Sequence, residues 1–531
     1  MAEARGTLWV SLVLSLLLLG LGCSDDDTPP PAQDCVVGDW SEWSVCSAEC
    51  DGGEQTRTRP ILTEPSGDGA ACEATEEVQA CNQDVCAPPA QDCVVGDWSE
   101  WSVCSAECDG GEQTRTRPIL TEPSGDGAAC EATEELQACN QDPCLRINHM
   151  QVRGTHNSYK IQPSDSLQAG INAFAPADLD PRGLVHSHAT LEEQLGVQRI
   201  RQFEFDVWLD PNGGLFSEPF GPALIDFMHQ AYAGTPLDFG PAGEDFDPLG
   251  EMDLPGPKVF HVQGIDHRSR CLTLAACLES IRAWSAATPS HLPIAILIEL
   301  KSDTYDPEIL APLYPYLVGS PDPEPAFTIP FPWELEEGQD YSDSALQALE
   351  DQIRAAFSDR QLITPDMVRG DYDTMMDAIT NEGWPKLADS MGRVMLLLDN
   401  GGALQASYVA EYPGLRGALF FVSADPGSPE AAYFQANDPF RTNPTIQELV
   451  SLGFMVRSRA DAENVEADAN DTTRRDQALA SGATWVSTDY PVPADSGYVV
   501  TLPGVSETSP ARCNPVSAPT PCSESDWQEQ P

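Results

Sequence analysis

The stretch GTHNSY places His156 beside Asn157 at the end of a short apolar run. A lone histidine in such a position is ordinarily a structural residue, so the weight falls on what the rest of the chain offers. In RQFEFDVW, Glu204 and Asp206 stand two apart, and Glu299 and Lys301 repeat that spacing in IAILIELK. Alternate residues of a strand share a face, so each pair projects together. KVFHVQG carries His261, VRSRA carries Arg457 and Arg459, and TWVSTDY ends near Asp489. Asn157, Glu204, Asp206 and Glu299 offer only oxygen ligands, a set suited to Ca2+ or Mg2+ far better than to zinc. The two histidines can serve as acid and base, or one as proton donor to a developing phosphorane. Lys301 and the arginines can hold phosphate oxygens. Taken singly, each carboxylate is as well explained by solvation or a salt bridge. Taken together, the set suits metal-assisted phosphoryl transfer.

These residues must be delivered by a common scaffold. From about residue 146 the chain alternates apolar strand signals with helical ones. The strand candidates are HMQVRGTH, RIRQFEFDVW, KVFHVQG, IAILIELK, RVMLLLDN, ALFFVSA, FMVRSRA and TWVSTDY. Helical stretches fall between most of them, at 271–287, 345–358, 445–452 and 472–481. The pattern predicts an α/β domain of (β/α)8 TIM-barrel type, over 146–505, with a tail at 506–531. In that fold functional side chains gather at the C-terminal rim of the strands, where the polar residues above lie.

The 531-residue chain carries 84 acidic and 28 basic side chains, a net charge of −56. Such a surface repels phosphate backbones and excludes a nucleic-acid partner. It also repels anionic lipid, which leaves membrane contact to a bound cation and to apolar loop residues such as Leu215, Phe216 and Phe220. The N-terminus reads as an export signal over 1–22: Arg5, an apolar core too short for a comfortable membrane span, then small residues up to Cys23. LGLGC resembles the bacterial lipobox, although Gly20 stands where that motif prefers an aliphatic residue. The resemblance implies lipidation at Cys23 and a cell-envelope or cell-surface protein held on a polar, Pro-rich tether over 23–34; an ordinary cleaved signal is the other reading. Seventeen cysteines suit an oxidising compartment, and setting Cys23 aside leaves an even number. Cys271 with Cys277, and Cys513 with Cys522, read as small-loop disulfides.

Residues 32–85 return at 90–143, differing only at Val78/Leu136 and Val85/Pro143. Units this small bury little core and depend on disulfides. The domain reading places them at 35–86 and 93–144, as two small disulfide-rich β modules ahead of the barrel. WSEWSVCSAEC followed by GGEQTRTR resembles the thrombospondin type 1 repeat. That resemblance implies a Trp–Arg ladder of Trp40, Trp43, Arg57 and Arg59, and pairings Cys35–Cys72, Cys46–Cys81 and Cys50–Cys86. Each copy has twelve acidic and two basic residues, which disfavours a heparin-like ligand and leaves a rigid spacer or a protein-adhesion module.

GTHNSY, HSHATLEEQL, RQFEFDVW, KVFHVQGIDHRSRCLTLAACL, LPIAILIELK, ITPDMVRGDYDT, VRSRAD and DTTRRDQALASGATWVSTDYP run in order across 147–495. Together they resemble the calcium-dependent phosphatidylinositol-specific phospholipase C family. The resemblance implies His156 and His261 as the catalytic pair, in either order, and Asn157, Glu204, Asp206 and Glu299 around Ca2+. It implies Lys301, and Arg457 with it, on a phosphoinositide-type phospholipid that is cleaved to diacylglycerol and an inositol (cyclic) phosphate; the other reading of Arg457 and Arg459 is that one of them makes a barrel-core ion pair. His186 and His188 read as shaping the rim, and His267 and Arg268 as either substrate contacts or a cap for the helix near Leu272. A glycerophosphodiester phosphodiesterase shares several of these strands but places Arg after its first histidine, where Asn157 stands here. The remaining alternative is a surface adhesion lipoprotein built on an inactive barrel.

Overall fold

The computed structural model describes residues 31–86, 89–174, 180–302, 338–527 and 529. The export signal, Cys23 with most of the tether, and residues 303–337 lie outside the described residues. No helix among the described residues is long and apolar enough to cross a membrane.

In the first repeat, Gly53–Thr58 pairs antiparallel with Glu76–Cys81. Alternate residues of the first strand present Arg57 to the indoles of Trp40 and Trp43, at 5.0 and 4.6 Å from the ring centroids. Arg59 lies 4.4 Å from the Trp40 centroid. Cation–π contact needs the guanidinium held in place, and Glu77 and Glu73 hold Arg57 and Arg59 at 2.7 and 2.9 Å. Both basic residues of the repeat are thereby occupied. The disulfides are Cys35–Cys72, Cys46–Cys81 and Cys50–Cys86, and the second repeat has the equivalent three.

The larger domain is built on a curled parallel sheet. Its principal strands are β1 (Met150–Thr155), β2 (Gln202–Trp208), β3 (Ile294–Lys301), β4 (Val394–Leu398), β5 (Phe420–Val422), β6 (Tyr433–Gln435), β7 (Met455–Arg459) and β8 (Trp485–Thr488). Parallel ladders run β1–β2–β3–β4–β5 and β6–β7–β8–β1. A parallel bridge, Ser423 to Tyr433, lies between the β5 and β6 ends. Burial on both faces explains the nearly continuous apolar runs of these strands. Gly154 serves the close approach of β1 and β2: a Cβ there would sit 1.8 Å from Gln202 Oε1.

Two strand expectations are corrected. KVFHVQG contributes only Lys258–Val259, antiparallel to the end of β2, because Pro255, Gly256 and Pro257 turn the chain and buried Lys258 is tied to Asp210 at 3.2 Å. The remaining parallel position is filled by β6, only three residues long and embedded in an alanine-rich segment. The C-terminal segment, read as a tail, is joined to the domain. Ala511–Cys513 pairs antiparallel with β1, and Glu529 pairs with Arg201. The Cys271–Cys277 and Cys513–Cys522 disulfides are both present.

The expected membrane-facing aromatics are corrected too. Phe216 and Phe220 are each 5% exposed. Phe216 belongs to a separate apolar cluster with Trp208, Met252, Phe260 and Leu272, where the Trp208 and Phe260 rings stack at 5.2 Å. Hydrophobic burial rather than lipid contact accounts for them. Replacing Phe216 by Ala should therefore cost about 3–5 kcal/mol of stability, read by urea unfolding followed by tryptophan fluorescence. Unchanged stability together with weakened vesicle binding would restore the lipid-contact reading.

Candidate active site

The register of the parallel strands places the polar side chains in rows. Asp206 pairs with Glu299, and Ile298 pairs with Leu398, so the next residue of each, Glu299 and Asp399, are neighbours. Residues in register on parallel strands point to the same face. The carboxylates of Asp206, Glu299 and Asp399 thus converge at the C-terminal ends of β2, β3 and β4, with Glu204 one step below.

Glu204, Glu299 and Asp399 each bring an oxygen within 4.8 Å of the others. Burial raises Glu204 to about 7, with Arg457 opposing, and raises Asp399 to about 6. Asp206 is pushed well above its ordinary range by burial and then by Glu299. Lys301 lies 3.3 Å from Asp206 and 2.7 Å from Glu299. Asp206 Oδ1, Asp399 Oδ1 and Asn157 Nδ2 are buried without a hydrogen-bond partner among the described residues, while Asp206 Oδ2 faces the Lys301 ammonium at 3.3 Å. Orphaned carboxylate oxygens of this kind fit a hard divalent cation, which takes oxygen ligands and removes the repulsion.

Of the expected ligands, the structure brings Glu204, Asp206 and Glu299 into one neighbourhood. Asn157 is buried beside it in a left-handed turn, φ 47°, and the next amide, Ser158, donates to the Glu204 carbonyl at 3.0 Å. Asp399 was not among them. Its signal was a carboxylate directly after the buried run VMLLL. Arg457, expected on substrate, is fully buried and paired with Glu204 and Asn437, the arrangement of an internal ion pair. Its charge is needed to stabilise the buried Glu204.

His156 follows β1, and its Nδ1 lies 2.9 Å from Asp489 Oδ1 at the end of β8. Donation from Nδ1 leaves the lone pair on Nε2. Arg459 Nη1 is 3.3 Å from that Nε2, and Arg459 Nη2 donates to Asp489 Oδ2 at 3.1 Å. Burial and then Arg459 hold His156 well below the ordinary imidazole range, against Asp489. Burial alone would raise Asp489, but His186, His156 and Arg459 hold it well below. Asp461, buried behind it, accepts from the Asp489 amide at 2.8 Å and from Thr488 Oγ1.

His261 lies on the loop after Lys258–Val259, and its Nδ1 is 2.6 Å from Asp266 Oδ2. A short reversal fixes the pair, with the Asp266 amide donating to the Val262 carbonyl at 2.9 Å. Fully buried Lys160 pairs with the same carboxylate. Neither His267 nor Arg268 caps the following helix, Leu274–Ala287; Thr273 does so, accepting from Ala276 at 3.2 Å. His267 packs edge-on against Phe246, and Arg268 donates to the Gln162 carbonyl at 3.0 Å.

Two histidines, each oriented through Nδ1 by a carboxylate, stand with an oxygen-ligand cluster in a curled parallel sheet. The family model described as "Phosphoinositide phospholipase C, Ca2+-dependent" matches residues 145–317 and 324–515, and the chain belongs to that family. A second model, the spondin-like TSP1 domain, matches residues 35–86 and 93–144. Over 133 residues the chain is 39% identical to Spondin-1 of Xenopus laevis, covering 24% of this chain and 15% of that protein. Over 128 residues it is 33% identical to SCO-spondin of Gallus gallus, covering 24% and 2%. The match thus spans about 15% of the length of the Spondin-1 relatives. Among solved structures, the calcium-dependent phosphoinositol-specific phospholipase C from Pseudomonas sp is similar at 14% identity and TM-score 0.35, covering 65% of this chain and 90% of that one. The enzyme from Streptomyces antibioticus is similar at 15% and 0.36, covering 65% and 95%.

The raised carboxylates couple cation binding to protons. Burial raises Glu204 to about 7 and pushes Asp206 upward, so Ca2+ binding there should release protons and weaken as pH falls from 7.5 to 5.5. Calorimetry in two buffers of different ionisation enthalpy reads this directly. Binding heats independent of buffer would contradict the shared-proton account.

Proposed function

We propose that this chain is a Ca2+-dependent phospholipase C that cleaves phosphatidylinositol-type lipids to diacylglycerol and an inositol cyclic phosphate. The observation that carries the reading is the pair of histidine–carboxylate dyads beside a carboxylate cluster with orphaned oxygens. Glu204, Asp206, Glu299 and Asp399, with Asn157 beside them, would hold the ion. Bound there, Ca2+ supplies charge stabilisation for the phosphate oxygens and polarises the attacking inositol hydroxyl.

The remaining chemistry belongs to the protein. His156, with Nδ1 committed to Asp489 and Arg459 disfavouring its protonated form, accepts the proton of the inositol 2-hydroxyl at Nε2. The hydroxyl oxygen attacks phosphorus and the bond to the diacylglycerol oxygen breaks. His261, held by Asp266, donates the proton that the departing oxygen needs. Lys301 and Arg459, the accessible cations, stand ready for the phosphate. Eight-stranded closure of the sheet, supported by the Ser423–Tyr433 bridge, would give the rim on which both dyads stand. The six-cysteine modules at 35–86 and 93–144 are read as a spacer or adhesion segment between the barrel of 146–505 and a lipid anchor at Cys23. Eight disulfides fit an exported protein.

Phosphorus NMR of the full chain with phosphatidylinositol vesicles or glycerophosphoinositol, in Ca2+ or chelator, tests the reading. Inositol phosphate formed from the lipid only with Ca2+ is the expected result. Glycerol phosphate from the deacylated compound would make it a glycerophosphodiesterase, and no turnover of either would leave a binding protein. The acid–base assignment makes a separate prediction. His261→Ala should lower kcat on the lipid by about 10²–10⁴. It should cost far less on an inositol nitrophenyl phosphodiester, whose leaving group needs no proton. His156→Ala should be defective on both, and equal losses for the two variants on both substrates would overturn the assignment.

A further inference from the structure

His186 takes no part in the reaction described above, yet it is buried against the His156 dyad. It is 4% exposed, and neither ring nitrogen makes a hydrogen bond among the described residues. A buried polar group without a partner is costly, and one beside a reactive centre needs a physical reason. Its Nε2 lies 3.4 Å from Asp489 Oδ1, the oxygen that also faces His156 Nδ1 at 2.9 Å. One ligand atom from each of His156, His186 and Asp489 falls within 4.8 Å of the other two.

We propose that His156, His186 and Asp489 form a second cation site, specific for Zn2+ or a similar nitrogen-preferring metal, and that its occupation switches the enzyme off. Zinc bonds nitrogen and carboxylate oxygen at about 2.0–2.2 Å, which sets tetrahedral ligand atoms roughly 3.3–3.6 Å apart. The distances above need only small side-chain adjustments to meet that spacing. Two imidazoles and one carboxylate, with a fourth position for water, is a zinc donor set, whereas the all-oxygen cluster on β2, β3 and β4 suits Ca2+. The two sites therefore sort metals by ligand type.

Supporting contacts orient the carboxylate. Asp489 Oδ2 accepts from Arg459 at 3.1 Å and the Asp489 amide is held by Asp461 at 2.8 Å, so Oδ1 remains the oxygen turned toward the histidines. His188, next but one in the HSH motif, is fixed by its Nε2 against the His156 carbonyl at 2.8 Å. Its ring stands 5.6 Å from that of His186, and its Nδ1 has no partner among the described residues. The nearby Arg459 charge opposes a dication and makes the site reversible rather than structural.

Inhibition follows from proton bookkeeping on one ring. A neutral imidazole carries a single proton. Coordination through Nδ1 of His156 moves that proton to Nε2, and the lone pair that would accept the inositol hydroxyl proton is gone. Binding of zinc is independent of the proposed activity, whereas the inhibitory consequence rests on it.

The test uses the full chain with Ca2+ saturating. Zn2+ uptake is measured by competition with a chromophoric chelator, and inhibition of phosphatidylinositol cleavage is followed in parallel. The expected result is one bound Zn2+ that is lost in both His186→Ala and His186→Gln. The inhibition midpoint, relative to each protein's own rate, should rise at least tenfold in the variants and should not move when Ca2+ is raised tenfold. Diffraction at the zinc edge on the unmutated protein should show the ion on His186 Nε2, which answers even if the variants fold poorly. Zinc uptake unchanged in the variants, inhibition relieved by Ca2+, or zinc found on Glu204 and Asp399 would each overturn the proposal. Zinc uptake at His186 without any lipid cleavage would uphold the site while removing the phospholipase reading.

Discussion

Like charges forced together in a dry place govern this structure. Glu204, Asp206, Glu299 and Asp399 converge at one end of a buried sheet, where Arg457 pairs with Glu204 and Lys301 with Asp206 and Glu299. Burial first, and then the neighbouring carboxylates, raise Glu204 and Asp206. Arg457 illustrates the constraint. A strand arginine that might have gripped substrate is committed to opposing the cost of burying Glu204 within the sheet.

The same economy sets the histidines. Each is oriented through Nδ1 by an aspartate, and each aspartate is kept charged by a cation: Arg459 for Asp489, Lys160 for Asp266. One cation is nevertheless placed differently from the other. Arg459 also stands at the reactive nitrogen of His156, whereas Lys160 is fully buried behind Asp266. That asymmetry is the physical difference on which the proposed base and acid roles rest. Binding energy from such buried pairs is modest, but their geometric specificity is high.

Much of this was legible in the residues themselves. Seven of the principal strands announce themselves as apolar runs, and the paired spacings of Glu204/Asp206 and Glu299/Lys301 place side chains on one face. What was missed has physical causes. KVFHVQG alternates like a strand, but the Pro–Gly–Pro turn before it reverses its direction. Strand β6 is too short to show a period. Asp399 has no partner two residues away, so only the register with β3 reveals it. Arg457 reads identically whether it meets a phosphate or a glutamate more than 250 residues earlier in the chain. Phe216 precedes a helix that begins at Phe220, and sequence cannot distinguish an exposed aromatic there from one folded back, as Phe216 is, onto Trp208 and Phe260.

The proposed function stands or falls on calcium binding at the carboxylate cluster. Long-wavelength anomalous diffraction from crystals of the full chain grown with Ca2+ tests it most directly. The account predicts a calcium peak about 2.3–2.6 Å from oxygens of Glu204, Glu299 and Asp399. Calcium bound only elsewhere, with these carboxylates unshifted against Arg457 and Lys301, would contradict it.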